Sequence, residues 1–517
     1  MLYRNKARRF LCTATEPVVR TTAGQLRGYR SDDVYVFRGI PYATAKRFQM
    51  PQPIEPWEGI RDALAYGPGN PEMTMSLESR EELDQLMVPG RIWSISEAPM
   101  NLNVWTRSID PGARRPVMVW LHGGGFSGGS ATHLYSYDGY QMADLYDVVL
   151  VTVNHRLNMQ GFFNLSAFGG VYAHSGNAGM ADLVAALEWV RDNITAFGGD
   201  PDNVTIYGQS GGGGKVTTLM QMPAADGLYH RAIIQSGVMR GGPRSDQSAE
   251  VAARTVARLG LTAETIEQIS ALPYDVVCGA IRAVNVELGL RPDGSWAPCP
   301  DGDYYPGSPF DAGFRPETAH IPLIVGSCLS EFSPCMPVGR REDYTDTQRE
   351  ALLRDSFGEG ADEIRASFQS AYPDVDWRYA VAADMICRPA VLSFLDLRRQ
   401  QATAPVYNYV FTFESPMDGG RLTGHNGDLH FMFHNASFMD AMCVPGVTER
   451  LEDDMAGAWA QFAYAGDPNR AGLVHWAPYT EEEGACMLFG ERTTLVHSHD
   501  RALLSALTKY PPKGRIF

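Results

Sequence analysis

The sequence lacks features that mark several large classes of protein. It has no excess of basic residues, because 44 Lys and Arg stand against 60 Asp and Glu, a formal net charge of −16 at pH 7. Nucleic acids and anionic membranes bind clustered Lys and Arg, so neither is an expected partner. No apolar run of about 18 residues occurs, which argues against a membrane-spanning helix. No apolar segment follows the basic residues near the start of the chain, so no secretory signal is predicted.

Cysteine is scarce, and its spacing excludes a further class. The eight cysteines show no C-x-x-C pattern, so no metal site is predicted. In a chain of this length they are expected to be free, buried thiols in a reducing compartment, which predicts a cytoplasmic protein. They are Cys12, Cys278, Cys299, Cys328, Cys335, Cys387, Cys443 and Cys486.

Repeats and low-complexity linkers are also absent, and residues 1–517 are predicted to form a single domain. Hydrophobic residues make up 44% of the chain and charged residues 20%, as in a globular enzyme with a large core. Apolar runs predict strands buried on both faces, and a helical pattern covers residues 180–194. This alternation predicts an α/β fold with a large, mostly parallel sheet flanked by helices. The predicted strands include 117–121, 148–153, 204–207, 232–234, 321–325 and 406–411.

Two long segments do not follow the alternating pattern. Residues 238–320 and 336–404 are mostly helical or irregular in pattern. They are interpreted as helical insertions that form a lid over a pocket, and not as separate domains.

The stretch G-Q-S-G-G-G-G-K-V at residues 208–216 allows two interpretations. A phosphate-binding P-loop needs G-x-x-x-x-G-K-[ST], but Gln209 stands at its first glycine and Val216 at its hydroxyl position, which disfavours that role. The same residues match G-x-S-x-G at Gly208, Ser210 and Gly212, between a predicted strand and a predicted helix. A sharp turn of this kind exposes the serine hydroxyl, so Ser210 is predicted to be a nucleophile.

A serine nucleophile needs hydrogen-bond donors that hold the developing oxyanion. Residues 122–126 read H-G-G-G-F and directly follow the predicted strand 117–121. A loop of this composition supplies main-chain N–H groups to an oxyanion hole. The predicted donors are the N–H groups of Gly124 and Gly125, together with that of Gly211.

The base and the acid are expected after the nucleophile, in the chain order Ser, acid, His. His425 follows the predicted strand 406–411 in a flexible Gly-His-Asn-Gly turn and is the predicted base. His430 and His434 lie among apolar residues and are interpreted as packing or pocket residues. Glu331 follows the predicted strand 321–325 and is the predicted acid. Asp428 is a rival acid that lies close to His425 in sequence.

With these motifs in place, the chain resembles the type-B carboxylesterase family, which includes cholinesterases and bacterial p-nitrobenzyl esterases. The resemblance covers nearly the whole length and is most specific at residues 176–179, 193–201 and 235–237. The segments that carry it are 37–43, 102–105, 122–126, 154–157, 176–179, 193–201, 235–237, 466–469 and 476–480.

The resemblance implies the α/β-hydrolase fold and a Ser-Glu-His triad at Ser210, Glu331 and His425. It also implies that Ser236 lies near the acid and orients it, and that no metal or cofactor is needed. The chain departs from the family pattern at several positions. Residues 97–100 lack the cysteine of the usual amino-terminal disulfide, which fits an intracellular protein, and Gln209 and Gly211 replace the common glutamate and alanine.

The function predicted from the sequence is that of a serine hydrolase. It would cleave small to medium, largely apolar carboxylic esters through an acyl-enzyme intermediate. Phe126, Phe431 and Met432 are predicted to line the substrate pocket, although aromatic and Met residues are also ordinary core residues. An amidase or a lactonase with the same triad is an alternative, and so is a non-catalytic, cholinesterase-like binding protein.

Overall fold

A computed structural model describes residues 8–73, 90–242, 244–332, 337 and 340–513. The strands in these residues are β1 (Phe10–Leu11), β2 (Val18–Arg20), β3 (Gln25–Arg27), β4 (Tyr29–Ser31), β5 (Val34–Pro41), β6 (Ile60–Asp62), β7 (Asn101–Thr106), β8 (Arg115–Leu121), β9 (Val149–Val153), β10 (Gly199–Gln209), β11 (Arg231–Gln235), β12 (Leu323–Cys328), β13 (Val406–Phe411), β14 (Glu414–Ser415), β15 (Arg421–Leu422), β16 (Ala485–Phe489) and β17 (Thr494–His497).

The α-helices of the same residues alternate with the strands of the main sheet. They are α1 (Tyr140–Tyr146), α2 (Asn158–Phe162), α3 (Ala178–Asn193), α4 (Gly211–Leu219), α5 (Ser245–Arg258), α6 (Tyr274–Glu287), α7 (Pro309–Ala312), α8 (Asp346–Phe357), α9 (Ala361–Ala371), α10 (Cys387–Gln401), α11 (Leu429–Met432), α12 (Thr448–Ala465) and α13 (Arg501–Lys509).

One large sheet organises the molecule. Its 12 strands run in the order β1-β4-β5-β7-β9-β8-β10-β11-β12-β13-β16-β17. The central strands from β9 to β16 pair in parallel, and the strands at both edges pair antiparallel. The predicted α/β-hydrolase fold, with a mostly parallel sheet flanked by helices, is therefore confirmed. The short antiparallel strands of the amino-terminal edge were not predicted, because they lack continuous apolar runs.

The apolar run of β8 shows why both faces of the sheet are covered. Successive side chains of a strand point to opposite faces. Val117, Val119 and Leu121 pack in a core with α3, α4 and α10, whereas Met118 and Trp120 pack in a second core with α11 and α12. All five side chains are buried. Helices on both faces leave the carboxyl ends of the parallel strands as the place for a site.

The two predicted insertions contain helices. Residues 238–320 include α5, α6 and α7, and α5 and α6 share an apolar core with residues that precede them, such as Phe163 and Tyr172. Residues 336–404 include α8, α9 and α10, although residue 336 lies outside the described residues. Their interpretation as a lid stays a prediction.

The seven cysteines within the described residues are all free, and Cys335 lies outside that part of the chain. A search of the same residues finds no α-helix with the length and apolar character needed to cross a bilayer.

Candidate active site

Ser210 lies in a strained turn between β10 and α4. Its φ of 58° and ψ of −128° are unusual for a residue with a side chain. The Ser210 N–H donates to the carbonyl of Gln235 on β11 at 2.8 Å. The turn is tight, because a Cβ on Gly208 would lie 2.5 Å from the carbonyl carbon of Gly212, and a Cβ on Gly212 would overlap the carbonyl of Leu121. The glycines thus allow the turn that presents the Ser210 side chain at the end of the strand.

The loop 122–126 lies beside this turn. Gly124 and Gly125 have φ values of +90° and +63°, which favour glycine. A Cβ built on Gly123 would lie 3.5 Å from the Cβ of Ser210, so the loop is next to the serine. The main-chain N–H groups of Gly124, Gly125 and Gly211 donate no hydrogen bond to any acceptor among the described residues. These three groups are therefore available to a substrate oxygen.

Gly211 and Gly125 touch through their main chains, which explains the absence of alanine at position 211. A Cβ on Gly211 would overlap the Cα and carbonyl of Gly125. Neither neighbour is a flexible side chain, so the backbone itself would have to move. The sequence shows that position 211 lacks the usual alanine. It does not show the reason, because Gly125 is far from Gly211 along the chain.

Gly211→Ala is therefore expected to displace Gly125 and to lower kcat by about 10²- to 10³-fold, the usual effect of losing one oxyanion donor. The measurement is steady-state hydrolysis of p-nitrophenyl acetate. Gly279→Ala is the control, because a Cβ at that exposed glycine of α6 meets nothing within 4 Å and its φ is not positive. Activity of Gly211→Ala within about threefold of native would show that the contact does not shape the site.

Glu331 and His425 form a buried pair. The His425 Nδ1 and the Glu331 Oε2 are joined by a short hydrogen bond. The other carboxylate oxygen of Glu331 accepts from the N–H of Cys328 at 2.8 Å, and the His425 N–H donates to the Glu331 carbonyl at 3.2 Å. With Nδ1–H directed at the carboxylate, Nε2 carries the free lone pair, an assignment that rests on the hydrogen-bond pattern.

Burial sets the charge of this pair. It lowers the pKa of His425 to about 4, with the Asp428 and Asp384 carboxylates acting in the opposite direction. His425 is therefore an unprotonated base at neutral pH. Burial also raises the pKa of Glu331, and Asp384 adds to that rise. Ser236 lies close enough for its hydroxyl to lower the Glu331 pKa, although it makes no hydrogen bond of normal geometry.

The structure brings His425 next to the serine turn through Gln209. The Gln209 Nε2 donates to the His425 carbonyl at 2.5 Å. The His425 Nε2 is buried and has no hydrogen-bond partner among the described residues, so the Ser210 hydroxyl does not donate to it here. In free enzymes this catalytic bond is often long and tightens only when substrate binds.

The alternative acid and bases have other partners. Asp428 accepts from Gln235 at 2.9 Å and from the Tyr409 hydroxyl at 2.7 Å. His430 pairs with the Ser136 hydroxyl, and His434 contacts the Tyr146 hydroxyl at 3.0 Å. None of these contacts reaches Ser210.

Two site neighbours could not be found from the sequence. The Phe332 ring is 53% exposed and packs on the His425 imidazole, with 4.0 Å between ring centroids. Cys387, the first residue of α10, has its Sγ within 4.8 Å of ligand atoms of Glu331 and His425. Burial and the Glu331 charge raise the Cys387 pKa, so this group is a thiol and not a thiolate.

The predicted pocket residues need a correction. Phe431 and Met432 have no exposed surface and pack in the core on one face of the sheet, where Phe431 contacts Phe411 and Phe413. They are core residues and offer no surface to a substrate. Phe126 is 6% exposed and packs edge-on against Phe162, and whether it contacts substrate stays a prediction.

Comparison with known proteins gives a consistent result. The family model described as the carboxylesterase family matches residues 15–505. The chain is 31% identical to para-nitrobenzyl esterase of Bacillus subtilis over 514 residues, covering 97% of this chain and all of that one. It is 30% identical to phenmedipham hydrolase of Pseudarthrobacter oxydans, with 92% and 96% of the two chains covered.

A solved structure is similar over the whole chain. It is an esterase from anaerobic Clostridium hathewayi, described as able to hydrolyze aliphatic aromatic polyesters. The two chains are 39% identical with a TM-score of 0.90, and the match covers 98% of this chain and 100% of that one.

Proposed function

The chain belongs to the carboxylesterase family and is a carboxylic-ester hydrolase, and we propose that Ser210, His425 and Glu331 carry out its reaction. His425 takes the proton of Ser210 while the serine oxygen attacks the ester carbonyl. Glu331 holds the imidazole in the required tautomer and stabilises the imidazolium. The N–H groups of Gly124, Gly125 and Gly211 bind the oxyanion.

The second half of the reaction uses the same groups. The tetrahedral intermediate expels the alcohol, which receives its proton from His425, and leaves an acyl group on Ser210. Water then attacks this ester while His425 accepts the water proton. The bond from the acyl carbon to the Ser210 oxygen breaks, His425 returns the proton to that oxygen, and the carboxylic acid departs. Ser236 orients Glu331 in this scheme.

The observation that carries the proposal is the convergence of four chain segments at the carboxyl ends of the central strands. The strained Ser210 turn touches the loop 122–126 on one side, and Gln209 touches His425, which is bound to Glu331, on the other. An acyl-enzyme predicts a burst of p-nitrophenol, equal to the enzyme concentration, before slower steady-state hydrolysis of a p-nitrophenyl ester. Linear release from time zero, with no acyl adduct on Ser210 in protein quenched during turnover, would argue against it.

We also propose that the insertion 336–404 forms part of the site wall. Its helix α10 begins at Cys387, whose thiol neighbours Glu331 and His425. Ile386, directly before it, is 42% exposed. An apolar side chain and a neutral thiol at this place suit an uncharged, apolar substrate.

Within the esters, we propose that aliphatic–aromatic esters are good substrates. The Clostridium hathewayi relative is described as acting on aliphatic aromatic polyesters. In this chain, the exposed Phe332 ring beside His425 offers a flat apolar surface next to the reacting carbonyl. A substrate ring gains stacking energy there that an aliphatic chain does not.

Phe332→Ala is therefore expected to lower kcat/KM for dimethyl terephthalate by about 5- to 10-fold, and that for methyl butyrate by less than about 2-fold. Both rates are measured by pH-stat, so no chromogenic leaving group is involved. Phe10→Ala, which removes an exposed ring from the edge strand β1, is the matched control. If kcat/KM fell equally for the two esters, Phe332 would act by supporting His425, and the proposed preference for aromatic esters would be refuted.

A further inference from the structure

Lys215 ends the glycine-rich stretch and has no part in the triad or the oxyanion donors. It lies in α4, the helix that follows Ser210, and its side chain is completely buried. Its Nζ donates to the main-chain carbonyl of His122 at 2.7 Å. His122 directly precedes the three glycines of the loop 122–126, so the ammonium group holds the first peptide of that loop.

Among the residues that the structure describes, no anion pairs with this ammonium group. Within the described residues, no carboxylate lies within 4.0 Å of the Lys215 Nζ. The ring of Phe126, in the same loop, has its centroid 5.8 Å from Nζ. A buried lysine without a counter-ion is rare, because burial strongly disfavours the charged form.

The titratable groups that face Lys215 do not supply negative charge. His122 and His155 are buried, and burial together with the Lys215 charge lowers the pKa of each, so both are neutral. Behind His155, Arg156 is already paired with Asp182 at 2.6 Å.

The other charged residues of the elements packed against α4 are remote from its start. On β8, β10 and β11 they lie at the amino ends of the strands, opposite the site. They are Arg115, Asp200, Asp202 and Arg231. On α3 they are Asp182, which is paired with Arg156, and the exposed Glu188, Arg191 and Asp192.

Packing alone does not account for a lysine here. Burial lowers the pKa of Lys215 to about 7, well below its value in an unfolded chain. The folded protein therefore binds this proton more weakly than the unfolded chain does, so the buried lysine lowers stability as pH falls below its unfolded pKa of about 10.4, and the full loss is present below about 7. A methionine would fill similar volume without that penalty. A group that weakens the fold at a reacting centre is a candidate for function.

We propose that the Lys215 ammonium group positions the loop 122–126 and places a fixed positive charge behind the oxyanion that forms on the substrate carbonyl. The inference rests on the proposed function, because it requires the N–H groups of that loop to bind the oxyanion. In a water-excluded site, a fixed charge stabilises the transition state more than the uncharged ground state, so it raises kcat more than it lowers KM. Lys215 is thus a positioning residue that does not touch substrate.

The proposal gives activity an alkaline limit. The positive charge is present when Lys215 is protonated, below its folded pKa of about 7, and is lost as pH rises through that value. The catalytic base titrates much lower, since burial lowers the pKa of His425 to about 4. The plot of kcat against pH should therefore have an acid limb from His425 and an alkaline limb from Lys215.

The test compares Lys215→Met, Lys215→Gln and native protein in kcat, KM, pH profile and Tm. At pH 6, Lys215→Met is expected to lower kcat by about 10- to 100-fold with KM within about 3-fold, and to lose the alkaline limb. Lys215→Gln keeps a donor for the His122 carbonyl, so it should retain more activity but also lack the alkaline limb. The Tm of Lys215→Met at pH 6 should equal or exceed that of native protein.

Two results would overturn the inference. One is an unchanged alkaline limb in both variants. The other is a loss of kcat that accompanies a Tm several degrees below native, which is the behaviour of a purely structural lysine. Thr217→Val, which removes a buried intrahelical hydrogen bond from the same helix, should lower Tm slightly but match native protein in kcat, KM and pH profile. Ser210→Ala separates failure of the proposed function from failure of the Lys215 role. If Ser210→Ala is inactive while Lys215→Met behaves as native protein, the triad is supported and only the role of Lys215 is refuted.

Discussion

Replacing Ser210 by alanine is expected to lower kcat for p-nitrophenyl acetate by about 10⁴- to 10⁶-fold, as in other serine hydrolases that lose their nucleophile. The reason is geometric: the strained turn offers one hydroxyl at the end of β10, beside three N–H groups that donate to no acceptor in the described part of the chain. Without it no acyl-enzyme forms, and only oxyanion binding and substrate positioning can accelerate hydrolysis by water. The remaining rate should show no burst.

The fold of Ser210→Ala should be unaffected or slightly more stable. Alanine, like serine, carries a β-carbon, so the strain at a φ of 58° does not change. The main-chain hydrogen bond from residue 210 to the Gln235 carbonyl does not involve the hydroxyl. Ser393→Ala, on the exposed side of α10, is the control for serine removal. A Ser210→Ala protein that keeps more than about one-tenth of the native rate would refute the proposed nucleophile.

Replacing Glu331 by glutamine is expected to lower kcat by about 10⁴-fold, the effect of the equivalent acid-to-amide change in the trypsin-type triad that serves as a general template. The amide keeps an oxygen for the Cys328 N–H, so the local fold can persist. Its NH₂ group would instead face His425 Nδ1 and donate to it. That donation puts the imidazole proton on Nε2, where a free lone pair is required.

The matched control for this change is Glu414→Gln. Glu414 is partly buried and accepts from the Tyr379 hydroxyl at 3.0 Å, and within the described part of the chain it makes no contact with Glu331 or His425. Its variant should keep native kcat. Glu331→Gln with kcat above about one-tenth of native would show that the acid does not set the histidine tautomer.

Local residue patterns account for the parts of the site that the sequence predicts. Gly208 and Gly212 flank a serine after a β-branched run, and only a tight turn needs glycine at both positions. The apolar runs predicted the parallel strands because strands buried on both faces carry continuous apolar sequence. Both signals depend on neighbours within a few residues.

The parts that the sequence does not predict depend on distant contacts. Phe332 and Cys387 reach His425 through the fold of separate segments, and no local pattern records that approach. Phe431 and Met432 have side chains that suit a pocket and a core equally, and only their packing against β13 decides for the core. Gly211 differs from the family pattern because Gly125 touches it, a contact across 86 positions of sequence that needs the structure to be seen.

The proposed mechanism depends on Ser210 being the residue that forms the acyl-enzyme. The most direct measurement is labelling of the native chain with a fluorophosphonate, followed by digestion and mass spectrometry of the peptides. The mechanism predicts one adduct per native chain, located on Ser210. The adduct should be absent from Ser210→Ala and should form much more slowly in Glu331→Gln. An adduct on a different residue, or an active native protein that takes no label, would contradict it.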